Sequence, residues 1–387
     1  MKLIAIVAPL ALLVACSPPA QQGETPAVAM SAETRANMER VNQARFLAPP
    51  GPRRGADASA VASNAPGAVT DADPQATPPS AAAAIEAAVP DDIEYDAGLV
   101  RIQVLLDRAH FSPGVVDGYD GDNVRKAVSA YQAAHGLEVT GLADDALLTR
   151  LELADASPAL VAYVITQEDV AGPFVDVPSG LDEMARLDRL AYEDAAEAIA
   201  EKFHMDEDLL RTLNPNVDFT SAGTEIVVAN AGGELNGAVA SIEIDTREQA
   251  VRAFNEAGQL MAFYPATVGS ASAPSPSGTH SVRGVAFDPT YRYDPSRLPT
   301  FGDQGHGAVT IAGGPNNPVG AVWIALSADT YGIHGAPEPQ LVSKTASHGC
   351  VRLTNWDAIE LAHAVSAGVE VRFTSGTGLA RGSAERG

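Results

Sequence analysis

Residues 331–353 read YGIHGAPEPQLVSKTASHGCVRL, from Tyr331 to Leu353. The stretch holds two His-Gly pairs, His334-Gly335 and His348-Gly349, and Cys350 follows the second. Cys350 is one of two cysteines in 387 residues, and the other, Cys16, sits at the end of an N-terminal apolar run. A thiol with no disulfide partner, set among histidines and glycines, is a candidate nucleophile. A cysteine ordinarily titrates near ~8.5, and a neighbouring imidazolium lowers that value and populates the attacking thiolate. Glycines let a backbone N–H approach a substrate carbonyl closely, as an oxyanion hole requires.

Two other readings compete for these residues. A lone cysteine is most often a small buried hydrophobe, and a histidine beside glycine a satisfied loop residue. A zinc site needs three or four ligands, whereas this stretch offers two histidines and a cysteine, with Asp357 the nearest carboxylate. The longer string separates the alternatives. Ser347-His348-Gly349-Cys350-Val351-Arg352, preceded by Ile333-His334-Gly335, resembles the signature of the L,D-transpeptidases, YkuD-like cysteine enzymes of bacterial peptidoglycan. Arg352 stands where that family often has Asn. The resemblance implies Cys350 as nucleophile and His334 as base, its second nitrogen held by a carbonyl near Gly335. It implies an oxyanion cradle from the N–H groups of His348, Gly349 and Cys350. Ser347, Tyr331 and Arg352 are expected to bind substrate, Arg352 by meeting a carboxylate. No metal or cofactor is expected.

The resemblance extends through residues 237–375, where short β runs alternate with Gly and Pro turns. Pro276-Ser277-Gly278 and Asn317-Pro318-Val319-Gly320 fit the same family, and Ala321–Leu326 reads as a buried strand. A helix is predicted over Asn355–Ala367 and a last strand over Glu370–Phe373, with 376–387 a loose tail.

Upstream, Met1–Ala15 carries one lysine, Lys2, and an apolar run too short to span a bilayer, and reads as a signal peptide. Leu13-Val14-Ala15-Cys16 looks like a lipobox, which implies lipidation at Cys16. Ser17 in the next position gives no inner-membrane retention signal, so the expectation is a periplasmic lipoprotein of the outer membrane. Residues 16–92, rich in Ala, Pro, Gly, Ser and Gln, cannot bury enough apolar area to offset ordering entropy and read as a disordered tether. Within it, Met38, Val41 and Phe46 give a weak helical pattern over Ser31–Leu47, read as a short solvated helix.

Residues 95–154 read as three helices. Leu99, Ile102, Leu105 and Leu106 share one face, Val124, Ala127, Val128 and Tyr131 a second, and Leu142, Leu147 and Leu151 a third. VRIQVLL, VVDGYDGDNVRKAVSAYQAAHGL and TGLADDALLTRL resemble the peptidoglycan-binding type 1 module. Residues 160–231 read strand, helix, helix, strand, and with LLRTLNPN and AGTEIVV resemble a LysM domain. They depart from it by an insert around Gly172–Asp188.

The predicted architecture is therefore multidomain α and β: a three-helix module, a small α+β LysM-like domain and a mainly-β catalytic domain. A formal charge of −24, from 49 acidic and 25 basic residues, excludes nucleic acid as a natural partner. The expected partners are peptidoglycan stem peptides and glycan, the membrane through Cys16, and carbapenem-type inhibitors. The expected reaction is acyl transfer from a tetrapeptide stem through a thioester. Two alternatives stay open: water as acceptor, giving an L,D-carboxypeptidase or amidase, and an inert wall-binding tether.

Overall fold

The computed structural model describes residues 28–46, 95–269, 274–294, 307–345 and 349–376. The expected signal peptide, Cys16, most of the expected tether and nearly all of the tail lie outside the described residues.

The first helix corrects the sequence reading. Helix α1 (Ala32–Asn42), capped by Ser31 Oγ, packs on the folded body rather than in solvent, with Thr34 and Val41 buried. Val28 bonds to Gly223 and Glu225 through the backbone, and Asn42 exchanges two hydrogen bonds with the backbone of Leu160. Residues 28–46 are thus part of the domain core and no tether. The pattern looked weak because the apolar face is narrow, and much of the docking is polar and backbone-directed.

Three helices follow: α2 (Ala97–Arg108), α3 (Asp122–Ala134) and α4 (Asp145–Ala154). Asp96 caps α2 by accepting from Gly98 and Leu99, and Asp144 caps α4 by accepting from Leu147. Leu99, Ile102, Leu106, Val128, Tyr131 and Leu148 fill their common core. Leu142 is the exception to the predicted third face: it precedes α4 and is 44% exposed. Gln103 ties the α2–α3 loop, donating to Asp117 and accepting from the backbone of Asp117 and Gly118.

Next come β1 (Leu160–Val164), the one-turn α5 (Leu181–Met184), α6 (Ala195–Lys202), α7 (Glu207–Leu213) and β2 (Glu225–Ala229). Strands β1 and β2 pair antiparallel from Leu160–Ala229 to Val164–Glu225, the strand–helix–helix–strand order expected. Asp194 and Asp206 cap α6 and α7.

The last unit is built on β3 (Ser241–Asp245), β4 (Ala250–Phe254), β5 (Leu260–Pro265), β6 (Gly278–Phe287), β7 (Tyr291–Tyr293), β8 (Val309–Ile311), β9 (Val322–Leu326), β10 (Gly332–His334), β11 (Val351–Arg352), α8 (Asn355–Ala364) and β12 (Glu370–Thr374). One sheet runs β11-β10-β9-β6-β12-β3-β4-β5, and β7 and β8 form a separate hairpin. Helix α8, capped by Thr354, ends at Ala364 rather than Ala367. Ala358, Leu361 and Ala362 seat it in the same core as Ile324, Ile333, Val351 and Val371.

The three units interlock through the backbone. Ser112 donates to Phe263 and Phe263 to His110, while Val116 donates to His204 and Asp206 to Val116. Polar side chains cross the same seams: Ser112 Oγ donates to Asp357, and His204 lies 3.0 Å from Asp107 and stacks on Trp356. Buried polar groups of this kind need partners, so the seams are specific as well as apolar.

Candidate active site

At one end of the large sheet, β10 and β11 run parallel, with Ile333 opposite Val351 and His334 opposite Arg352. Leu353 N–H adds a bond to the His334 carbonyl at 2.9 Å. This register carries the two halves of the Tyr331–Leu353 stretch to one place. Cys350 and His334 line a single cavity of about 740 Å3, with Arg352, Thr330, Tyr291, Trp323, Glu338 and Val319 among its other walls.

His334 is 3% exposed and stacks on Trp323, ring centroids 5.4 Å apart. Its Nδ1 lies 2.6 Å from the Gly335 carbonyl. That carbonyl can only accept, so Nδ1 carries the proton and Nε2 keeps its lone pair. Burial, helped by the Arg352 guanidinium, lowers the imidazole to about 3, although the Gly335 and Val319 carbonyls pull the other way. Cys350 is not in a disulfide. Burial pushes its thiol above the ordinary value, opposed by a backbone hydrogen bond from Gly332 and the charge of Arg352.

Both shifts run against the expected pairing of a thiolate with an imidazolium. At neutral pH the site rests as thiol and neutral imidazole, because both charged forms are disfavoured by burial. The Cys350 thiol meets the Thr330 carbonyl at 3.8 Å, and the neutral imidazole of His334 lies on the same cavity with the Gly335 and Val319 carbonyls against it.

Gly349 has φ +110, and a Cβ there would sit 2.8 Å from Tyr331 Cε1, so only glycine lets the chain turn past that ring. Ser275 Oγ donates to the Gly349 carbonyl at 2.7 Å, and Tyr331 therefore supports the turn from outside the cavity lining. Arg352 reaches the cavity, and its backbone exchanges two bonds with Thr267. Ser347 and His348 lie outside the described residues.

Two residues that sequence reasoning left out hold the His334 turn. Asn355 Oδ1 accepts from Ala321 N–H at 2.9 Å and lies so close to Gly335 that a Cβ there would fall 2.2 Å away. Asn355 Nδ2 donates to both carboxylate oxygens of Glu201, each at 3.1 Å. Glu201 belongs to α6 of the preceding unit, so a neighbouring domain orients the turn next to the base. The helix start predicted at Asn355 was a signal for that residue. Glu201, on an Ala-rich helix more than a hundred residues upstream, carried none.

Residues 240–372 match the family model of the YkuD L,D-transpeptidase catalytic domain. Residues 96–151 match the model described as "Putative peptidoglycan binding domain". A Bacillus licheniformis protein named "Putative L,D-transpeptidase YkuD" is 45% identical over 60 residues, 16% of this chain and 36% of its own length. A Bacillus subtilis protein named "Putative L,D-transpeptidase YqjB" is 32% identical over 117 residues, 29% of this chain and 58% of its own. The chain thus spans less than two thirds of either relative. Among solved structures, L,D-transpeptidase 3 from Mycobacterium tuberculosis in complex with a faropenem-derived adduct superposes with TM-score 0.29 and 14% identity. That match covers 39% of this chain and 73% of the other. Residues 240–372, with Cys350 and His334 on one cavity, match the L,D-transpeptidase catalytic domain, and residues 96–151 of the same chain match the "Putative peptidoglycan binding domain".

Proposed function

We propose that the whole protein is a cysteine L,D-transpeptidase acting on peptidoglycan tetrapeptide stems in the periplasm. The observation that supports it best is the placement of a Cys350 thiol and a neutral His334 on one cavity, with His334 Nδ1 committed to Gly335. In the forward reaction the Cys350 sulfur attacks the carbonyl of the L-centre before the terminal D-residue, and His334 Nε2 takes the thiol proton. The turn through Gly349 and Cys350 presents backbone N–H groups to the oxyanion. Collapse breaks the C–N bond, and His334 returns the proton to the departing amine, leaving a thioester. An acceptor amine then attacks the thioester, gives its proton to His334, and the sulfur leaves and is reprotonated. Arg352 meets a substrate carboxylate.

The remaining modules suit an enzyme held at the wall. In this reading the three-helix unit binds peptidoglycan, the strand–helix–helix–strand unit is LysM-like and contacts glycan, and lipidated Cys16 anchors the chain to the outer membrane. The cavity is of the kind a carbapenem-type inhibitor enters to acylate Cys350. Mass spectrometry of products formed by the purified full chain from tetrapeptide stems, with and without an acceptor amine, tests the assignment. Cross-linked or amine-exchanged stems are expected. Tripeptide alone in both arms marks a carboxypeptidase, and no donor consumption leaves a binding tether.

Gly335→Ala provides a second test. The added Cβ meets the buried Asn355 Oδ1 and must displace either Asn355 or the turn that orients His334. A displacement of this size next to the base is expected to lower kcat by about 10²-fold. An activity within threefold of wild type would remove Gly335 from the positioning of the base.

A further inference from the structure

The insert that interrupts the LysM-like pattern folds against the catalytic domain. Leu190 N–H donates to the Gly313 carbonyl at 2.9 Å, and Asn316 N–H donates to the Leu190 carbonyl at 3.0 Å. The Asn316 amide donates to the Ala191 carbonyl at 3.1 Å and to Glu197 at 2.8 Å, while Arg189 pairs with Asp288. Val175 N–H closes the base of the insert by donating to the Tyr192 carbonyl. So fastened, the single turn α5 rests against β8. Its Leu181 and Met184 line the same cavity as Cys350 and His334.

The composition of this segment is informative. Asp176, Asp182, Glu183 and Asp188 make it acidic, yet α5 brings two half-buried apolar side chains to the catalytic cavity. Pro289, Leu341 and Val342 continue that apolar lining, and Arg352, Glu338 and Asn316 add polar groups. A cavity of about 740 Å3 is within the usual span for sites that enclose a small ligand, ~300–1,000 Å3. Apolar walls with a few polar groups suit a short peptide with small apolar side chains better than a sugar, whose hydroxyls would go unpaired.

We propose that Leu181 and Met184 are specificity-determining residues that pack against the peptide of the acyl donor while its scissile carbonyl is at Cys350. The middle module, read from sequence as a glycan binder, then also reads the stem peptide. This inference rests on the transpeptidase reading, and its test separates the two.

In the full chain carrying Cys350→Ala, the affinity for a sugar-free tetrapeptide stem is measured by calorimetry, with and without Leu181→Ser plus Met184→Ser. The double substitution is expected to weaken binding about tenfold, the scale set by losing apolar groups from a substrate pocket. Met184→Leu, which keeps the apolar surface, is expected to retain wild-type affinity, and an unchanged urea-unfolding midpoint of the serine variant shows that its loss of binding is not loss of fold. Unchanged affinity in the serine variant overturns the proposal. A loss seen only with a disaccharide-bearing stem also overturns it, because the wall would then read sugar. Donor consumption by the wild-type chain, followed in parallel, reports on the reaction independently of the wall.

Discussion

Replacing His334 by alanine is expected to slow acylation of Cys350 by a tetrapeptide donor by a factor of about 10²–10⁴, the usual contribution of a general base. The geometry also predicts the pH dependence. His334 is lowered to about 3 by burial and by Arg352, so its basic form is fully present above that value. Acylation should therefore show no histidine inflection between pH 5 and 8. The thiol is raised by burial, so alkylation of Cys350 by a small reagent should climb only in the alkaline range. An alkylation profile with an inflection near pH 6 would mean a resting ion pair and overturn the neutral assignment. His348 lies two residues before Cys350 and is the obvious rival. If His348→Ala abolishes acylation while His334→Ala spares it, the two roles are reversed.

The second large effect concerns stability. Glu201 is raised to about 8 by burial, with Glu197 adding to the shift and the bonds from Asn355 and Tyr192 opposing it. In the unfolded chain it titrates near its ordinary value of 4.5. A carboxylate raised by folding contributes stability that is complete below the unfolded value and lost as pH climbs through the folded one. Between pH 5 and 8 the folded protein should therefore lose roughly 3–4 kcal/mol from this group, at ~1.36 kcal/mol per unit. Glu201→Gln keeps an acceptor for Asn355 and cannot titrate, so its unfolding midpoint should vary less over that window. Urea unfolding at pH 5, 6.5 and 8 compares the two proteins, and groups common to both cancel. A difference between wild type and variant that stays constant with pH would show that Glu201 does not titrate there. Because Glu201 holds Asn355 beside the His334 turn, activity in wild type should decline faster than in the variant as pH climbs through about 8, where folded Glu201 ionises.

Apolar periodicity made the helices legible, and the structure adds their caps. Asp96, Asp144, Asp194, Asp206 and Thr354 each precede a helix and accept from its first turn, a pattern written in consecutive residues. Strand β9 was readable as an apolar run, and β12 as an alternation of charged and apolar residues, Glu370-Val371-Arg372-Phe373. Helix α1 was not read as part of the core, because its docking partners Leu160, Thr212 and Leu213 lie more than a hundred residues away. Leu142 misled for the opposite reason: periodicity counts an apolar residue on a face even where the helix has yet to start.

Sequence alone proposed the nucleophile and the base: Cys350 stands far from the other cysteine, and the resemblance gave the base to His334 rather than to His348, although both sit in His-Gly pairs. The charge states were decided by the fold. The closure of β10 against β11 buries His334 and leaves Cys350 half-buried beside it on the cavity, and both shifts run toward the neutral forms. The contribution of Glu201 and of Leu181 and Met184 was likewise decided by tertiary structure. These residues come from another module, and a one-dimensional pattern has no term for the distance at which two separate segments meet.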